Sequence, residues 1–479
     1  MKQKYYGYIL FILQIKIFCS KLKYTELPIQ IIHHHNQNNQ SNVQKMSYFQ
    51  ENLKSKENLE QYSYDLDKLD CKLLLYQVKI GSNQQKFNLV VDTASSILWI
   101  SGEGSEDKEE KIPRHYNPKA SSTSFKTKHE YKIRYGSGYS LGYYYYDKIN
   151  FFNNETLPFD LFMNFGVANK TKFNVHGADG VLGLGRGTKG NLNSSTILCL
   201  KNMNLIEYAG FSLKFNDNLD KVTMFLGEEH EDFSKGSNVG KCVLDDNNKT
   251  NEQLWSCKLN KFGFINNNAN VSINLNLTVN FDTGTNSLIF PRYVLSLLLK
   301  SLQFFGCTVQ NLSFEVSKIM CNNRTSLPDL ILKIGNNTFV LDNKYLYSNV
   351  TIKDKKSYML NVFFEEGINS GVLGLPFYYE YHTRFDNEKN IMKFFGPKLI
   401  VDKEGGKKGN RSNETYEKEE SEGNYNIDFT IIAIVLSVFV VILIIINVVI
   451  KYKYCSKKRA KKLLINEEID NSEILAKDD

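Results

Sequence analysis

Phe87-Asn-Leu-Val-Val-Asp92-Thr-Ala-Ser-Ser-Ile-Leu-Trp99-Ile100 is the stretch on which the reading of this chain turns. A run of β-forming residues leads into Asp-Thr-Ala-Ser, and a second apolar run follows it. The pattern returns as Leu277-Thr-Val-Asn-Phe-Asp282-Thr-Gly-Thr-Asn-Ser-Leu-Ile-Phe290. Carboxylates are rarely carried into apolar surroundings without a role. Two of them, each delivered by a tight loop between buried strands, can be set face to face. Like charges sharing one site cannot both ionise cheaply, so one carboxyl keeps its proton while the other stays ionised. Such a pair holds an acid and a base ready for one water molecule, which is hydrolytic chemistry.

A lone Asp-Thr-Gly is an ordinary turn and signals nothing. Two copies with matching apolar flanks are harder to dismiss, and a third element joins them. Tyr131-Lys-Ile-Arg-Tyr135-Gly-Ser-Gly-Tyr-Ser-Leu-Gly142 reads as a hairpin whose Gly-Ser-Gly tip supplies the backbone angles of a tight turn.

With these residues in view, the chain from about Leu73 to Phe395 resembles the pepsin-like aspartic proteases. Tyr76–Gly81, Tyr116-Asn-Pro-Lys-Ala-Ser-Ser-Thr123 and Asp179-Gly-Val-Leu-Gly-Leu-Gly185 carry the resemblance beyond the two Asp loops and the hairpin. So do Gly371-Val-Leu-Gly-Leu-Pro-Phe377 and Phe385-Asp386. The resemblance implies an all-β, bilobal body whose cleft holds an extended polypeptide by main-chain hydrogen bonds. It implies Asp92 and Asp282 as the catalytic pair, with Ser95 and Thr285 orienting the outer carboxylate oxygens. Thr93, Thr283 and Gly284 would brace the loops. Tyr135, Gly136, Ser137 and Gly138 would form a flap over the substrate, and Trp99 would meet Tyr135. Neither a metal nor a cofactor is implied. Pepsin's split carboxyl titration is a general precedent for such a dyad and is borrowed here.

Ala94 departs from the pattern, which has Gly there. If the backbone at that position requires φ > 0, the added methyl strains the loop by about 1–2 kcal/mol. The competing reading is therefore a protease-like binding protein or receptor whose first loop is catalytically weakened. A membrane adhesion protein is a third reading, disfavoured by the two Asp loops.

The chain of 479 residues is long enough for two or three domains and a sizeable core. Its net charge of +7 is modest and gathered partly near the C-terminus, so nucleic acid is not an expected partner. A monomer is expected. Residues 1–20 fit a secretory signal, and 21–70 are polar and mixed in charge. By resemblance they take the place of a propeptide, which makes the protein a zymogen; His33–His35 there read as solvated low complexity. Residues 71–245 and 246–397 are the expected N- and C-terminal lobes. Residues 398–428 read as a stalk. Phe429–Ile450 carries no charge and is long enough to span a bilayer as a helix. The basic residues that follow place the tail, 451–479, in the cytosol. The expected protein is thus single-pass, type I, in the secretory or endolysosomal pathway or at the cell surface. Sequons such as Asn154-Glu-Thr, Asn169-Lys-Thr and Asn276-Leu-Thr precede the span, as a glycoprotein requires.

Six cysteines lie between leader and span: Cys71, Cys199, Cys242, Cys257, Cys307 and Cys321. An even number suits three disulfides. Resemblance to the family's second-lobe disulfide favours Cys307–Cys321; Cys242–Cys257 and Cys71–Cys199 complete the expected set.

Overall fold

The structure, a computed structural model, describes residues 24–34, 71–107, 112–136, 138–151, 161–172, 177–188, 195–227, 238–244, 252–311, 316–352 and 355–397. All belong to one compact unit, Met1–Arg411. Its framework is two large sheets, of thirteen and ten strands, with a two-stranded ribbon beside them.

Each sheet repeats one plan. In the larger, Gln85–Asp92 runs parallel to Gly180–Gly183, with Asp92 opposite Gly183. The strand Trp99–Asp107 then crosses antiparallel to the same partner, Trp99 opposite Val181. In the smaller, Asn270–Phe281 runs parallel to Gly371–Leu373, and Leu288–Pro291 crosses antiparallel to it. The shared partner strand is buried on both faces in the first case and nearly so in the second, which is why both read as Gly-Val-Leu-Gly. Each Asp loop is therefore the hinge of a chain that passes from one side of a buried strand to the other.

Two pieces of the larger sheet come from far along the chain. His382–Asp386 pairs with Gly210–Phe215, and Ile391–Phe395 pairs with Asn238–Val243. The strand Gly371–Leu373 ends early, because Leu375–Glu380 turns into a short helix with Pro376 in its first turn. A longer helix runs over Arg292–Leu302, with Pro291 just before it.

The N-terminal region corrects the sequence reading. Tyr24–His34, within the stretch whose composition reads as polar and mixed in charge, is a strand. It lies between Lys221–Gly227 and Cys71–Ile80 and pairs antiparallel with both. Leu27, Ile29 and Ile31 alternate along it with the period of a strand. Ile29 is buried in the main core. Prolines are usually kept out of strands paired on both sides, since they bring no N–H to the ladder, and Pro28 hid this one.

Cys242 and Cys257 are bridged, as are Cys307 and Cys321, which face each other across adjacent strands. The expected Cys71–Cys199 bridge is not made. Cys199 is a buried thiol in the helix Thr196–Asn202, where it packs into the core as a small apolar side chain, and burial raises its titration to about 11. The expected span, residues 429–450, lies outside the described residues. Among the described residues no helix is long and apolar enough to cross a membrane.

Candidate active site

The two Asp loops, one from each sheet, meet and bond to each other. Thr93 and Thr283 exchange bonds across the junction. The Thr93 hydroxyl donates to the Phe281 carbonyl (2.8 Å) and accepts from the Thr283 N–H (3.0 Å). The Thr283 hydroxyl donates to the Val91 carbonyl (2.8 Å) and accepts from the Thr93 N–H (3.2 Å). Both threonines are buried, so each bond left unmade would strand a polar group away from water. This reciprocal clasp fixes the two carboxyls, each carried by the residue just before its threonine.

The loops then treat their carboxylates alike. The Ala94 N–H donates to Asp92 Oδ1 (2.8 Å), and the Gly284 N–H donates to Asp282 Oδ1 (2.7 Å). The Ser95 hydroxyl donates to Asp92 Oδ2, and the Thr285 hydroxyl donates to Asp282 Oδ2 (2.6 Å). The two inner oxygens lie close together, both Oδ1 atoms within 3.3 Å of where a Cβ on Gly284 would stand, and each carboxyl shifts the other's titration. Burial first, and then the charge of Asp282, push Asp92 up to about 7. Burial also raises Asp282, opposed by the donors Thr285 and Gly284. One proton is thus held between two carboxyls across acid and mildly acid pH, and its titration belongs to the pair.

The hairpin Phe125–Tyr135 to Gly138–Asn150 brings Tyr135 to this site, with Gly136 exposed at its tip; Ser137 lies outside the described residues. The Trp99 Nε1–H donates to the Tyr135 Oη (2.7 Å), and Trp99 is fully buried. Burial and the charge of Asp92 keep the Tyr135 phenol protonated well above its usual range.

Ala94 keeps a negative φ, as does Gly284. The strain expected from the added methyl is therefore absent, because the loop never visits the left-handed region. Close approach makes glycine necessary elsewhere in the site. A Cβ on Gly183 would lie 2.6 Å from the Ile97 nitrogen, inside the Asp92 loop. Leu184 and Gly185 hold that loop from behind, their N–H groups donating to the Asp92 and Ser95 carbonyls, each at 2.7 Å.

Three further residues support the site and escaped the sequence reading. Trp255, fully buried, donates from Nε1 to the Leu184 carbonyl (2.9 Å). Arg186 lies 5.7 Å from the Trp255 ring and donates from Nε to Asn387 Oδ1 (3.2 Å) and from its terminal nitrogen to Asn390 Oδ1. Tyr378 is buried in the helix Leu375–Glu380, and its phenol senses both aspartates from below. None belongs to a motif; only the fold brings them in.

Comparison with known proteins agrees with this geometry. The family described as eukaryotic aspartyl protease matches residues 75–395. Plasmepsin I of Plasmodium falciparum is 24% identical over 361 residues, covering 73% of this chain and 75% of its own length. Gastricsin of Mus musculus is 25% identical over 334 residues, covering 66% and 78%. Vacuolar protease A of Aspergillus fumigatus is 24% identical over 330 residues, covering 66% and 77%.

Proposed function

The chain belongs to the eukaryotic aspartyl protease family, and from that premise we propose that it is an active aspartic endopeptidase that cuts extended polypeptides. The observation that carries the proposal is the close pair of buried carboxyls, Asp92 and Asp282, with their loops locked by the Thr93–Thr283 clasp. A water between the carboxyls gives a proton to ionised Asp282 as its oxygen attacks the peptide carbon. Asp92 gives its proton to the carbonyl oxygen. The tetrahedral intermediate then collapses with a proton passed to the leaving nitrogen. Ser95 and Thr285 hold the outer oxygens, so the inner ones stay aimed at the water. Tyr135 closes over the substrate from the hairpin.

In this reading the protein is made as a zymogen and anchored once in the membrane, with its body in the lumen or outside. The uncharged run Phe429–Ile450 and its basic flank support the anchor. The plain backbone at Ala94 removes the motive for a silent receptor. The test is incubation of the purified full chain with a mixed peptide library from acid to neutral pH, alongside Asp282→Asn. Cleavage in acid that Asp282→Asn abolishes is the expected result. Undiminished cleavage by the variant would place the chemistry elsewhere, and no cleavage by either would favour the receptor.

A further inference from the structure

The two Asp loops of this chain give their carboxylates matching donors: Ala94 answers Gly284 and Ser95 answers Thr285. They differ in two methyls, one that Ala94 has and Gly284 lacks and one that Thr285 has and Ser95 lacks, and the first stands beside the inner oxygens. The place such a methyl occupies can be read from the other loop. A Cβ on Gly284 would lie 3.1 Å from Asp282 Oδ1, 3.3 Å from Asp92 Oδ1 and 3.5 Å from Asp92 Cγ. By the pairing of the loops, a methyl at position 94 would lie against the same inner oxygens from the other side. The molecule is uneven in the matching sense. Asp92 is only 5% exposed and Ala94 half-buried, whereas Asp282 keeps an open edge and Gly284 is exposed.

We propose that Ala94 is a positioning residue that keeps water off the inner carboxylate oxygens and thereby extends this protease's working range toward neutral pH. The inference rests on the peptidase reading for its consequence. An apolar group against a carboxylate takes the place of water that would stabilise the charged form, so the protonated form persists to higher pH. The pair works only while it holds one proton, so the loss of activity on the alkaline side moves with it. Burial is the largest influence raising both carboxyls, which agrees with this direction. The titratable groups facing the pair are Tyr135 from the hairpin and Tyr378 from the helix beneath. Both are phenols held protonated, so neither changes charge over the same interval.

The test is Ala94→Gly in the full chain, read in two independent ways. Hydrolysis measured from pH 3 to 8 should keep its KM but lose its alkaline limb about half a unit to one unit earlier, a three- to tenfold fall in relative rate at fixed pH on that limb. Unfolding measured over the same pH range, followed by tryptophan fluorescence, should show its pH-dependent step displaced by the same amount. A merely structural role would lower stability equally at every pH and leave the step in place. Coincident steps in the unfolding titration overturn the inference even if the protein cuts nothing. A displaced step without hydrolysis in either form overturns the peptidase reading and leaves the role of Ala94 standing.

Discussion

Replacing Asp92 with Asn should stabilise the protein at neutral pH. The Asp92 carboxyl is pushed to about 7, chiefly by burial, against about 4 for the same group in an unfolded chain. The folded chain therefore holds a proton that the unfolded chain gives up. Stability from this group is fully present below about pH 4 and is lost as pH rises through about 7. Roughly three units at about 1.4 kcal/mol each make the loss about 4 kcal/mol. Asn is the neutral shape of the same side chain and cannot ionise. Its oxygen can still accept from the Ala94 N–H, while the Ser95 hydroxyl must turn from donor to acceptor, at a cost of about 1 kcal/mol. Asp92→Asn should thus match the parent within about 1 kcal/mol at pH 4 and exceed it by about 3 kcal/mol at pH 7. Urea unfolding at both pH values measures this directly. The chain has only two tryptophans, Trp99 and Trp255, and both are buried in the protease body, so their fluorescence reports its unfolding even in the full chain. Equal pH slopes for parent and variant would refute the reasoning, because they would show that the buried carboxyl carries no proton the unfolded chain lacks.

Three other outcomes are expected. Thr93→Val deletes a donor to the Phe281 carbonyl and an acceptor for the Thr283 N–H, so it should cost about 2–5 kcal/mol and most of the turnover; a loss under about 1 kcal/mol in denaturant unfolding would mean the clasp is dispensable. Replacing both Cys307 and Cys321 with Ser opens a loop of sequence separation 14 and should lower stability by about 3 kcal/mol while leaving the dyad's pH profile in place; an altered profile would show that the bridge reaches the site. Protease added to sealed vesicles should remove only residues beyond Ile450, detected by tail and body antibodies; digestion of the body with protection of the tail would reverse the proposed topology.

The sequence made the site legible because its chemistry lies in short runs with turn residues at fixed offsets. Asp-Thr-Ala-Ser, Asp-Thr-Gly-Thr and Tyr-Gly-Ser-Gly each declare a local backbone, and local backbone is what sequence specifies best. Residues acting singly were not legible. Arg186, Trp255 and Tyr378 reach the site only through pairings between distant segments, which no local pattern encodes. The N-terminal strand failed for a different reason. Its alternation is present in Leu27, Ile29 and Ile31, but Pro28 and the neighbouring polar residues mask it. The strain expected at Ala94 failed because a Gly in a loop need not sit at positive φ. Here a loop of ordinary dihedrals carries the methyl.

The pairing of His382–Asp386 with Gly210–Phe215 has a consequence for how the protein is made. The edge of Gly210–Phe215 emerges from the ribosome roughly 170 residues before the strand that covers it. At 5–20 residues per second, that edge waits roughly 10–30 s with its N–H and C=O groups open to any passing strand. Contacts this distant in sequence also form slowly. Newly made chains thus carry an aggregation hazard that the finished molecule does not show, and ending the chain ahead of His382 would make that exposure permanent.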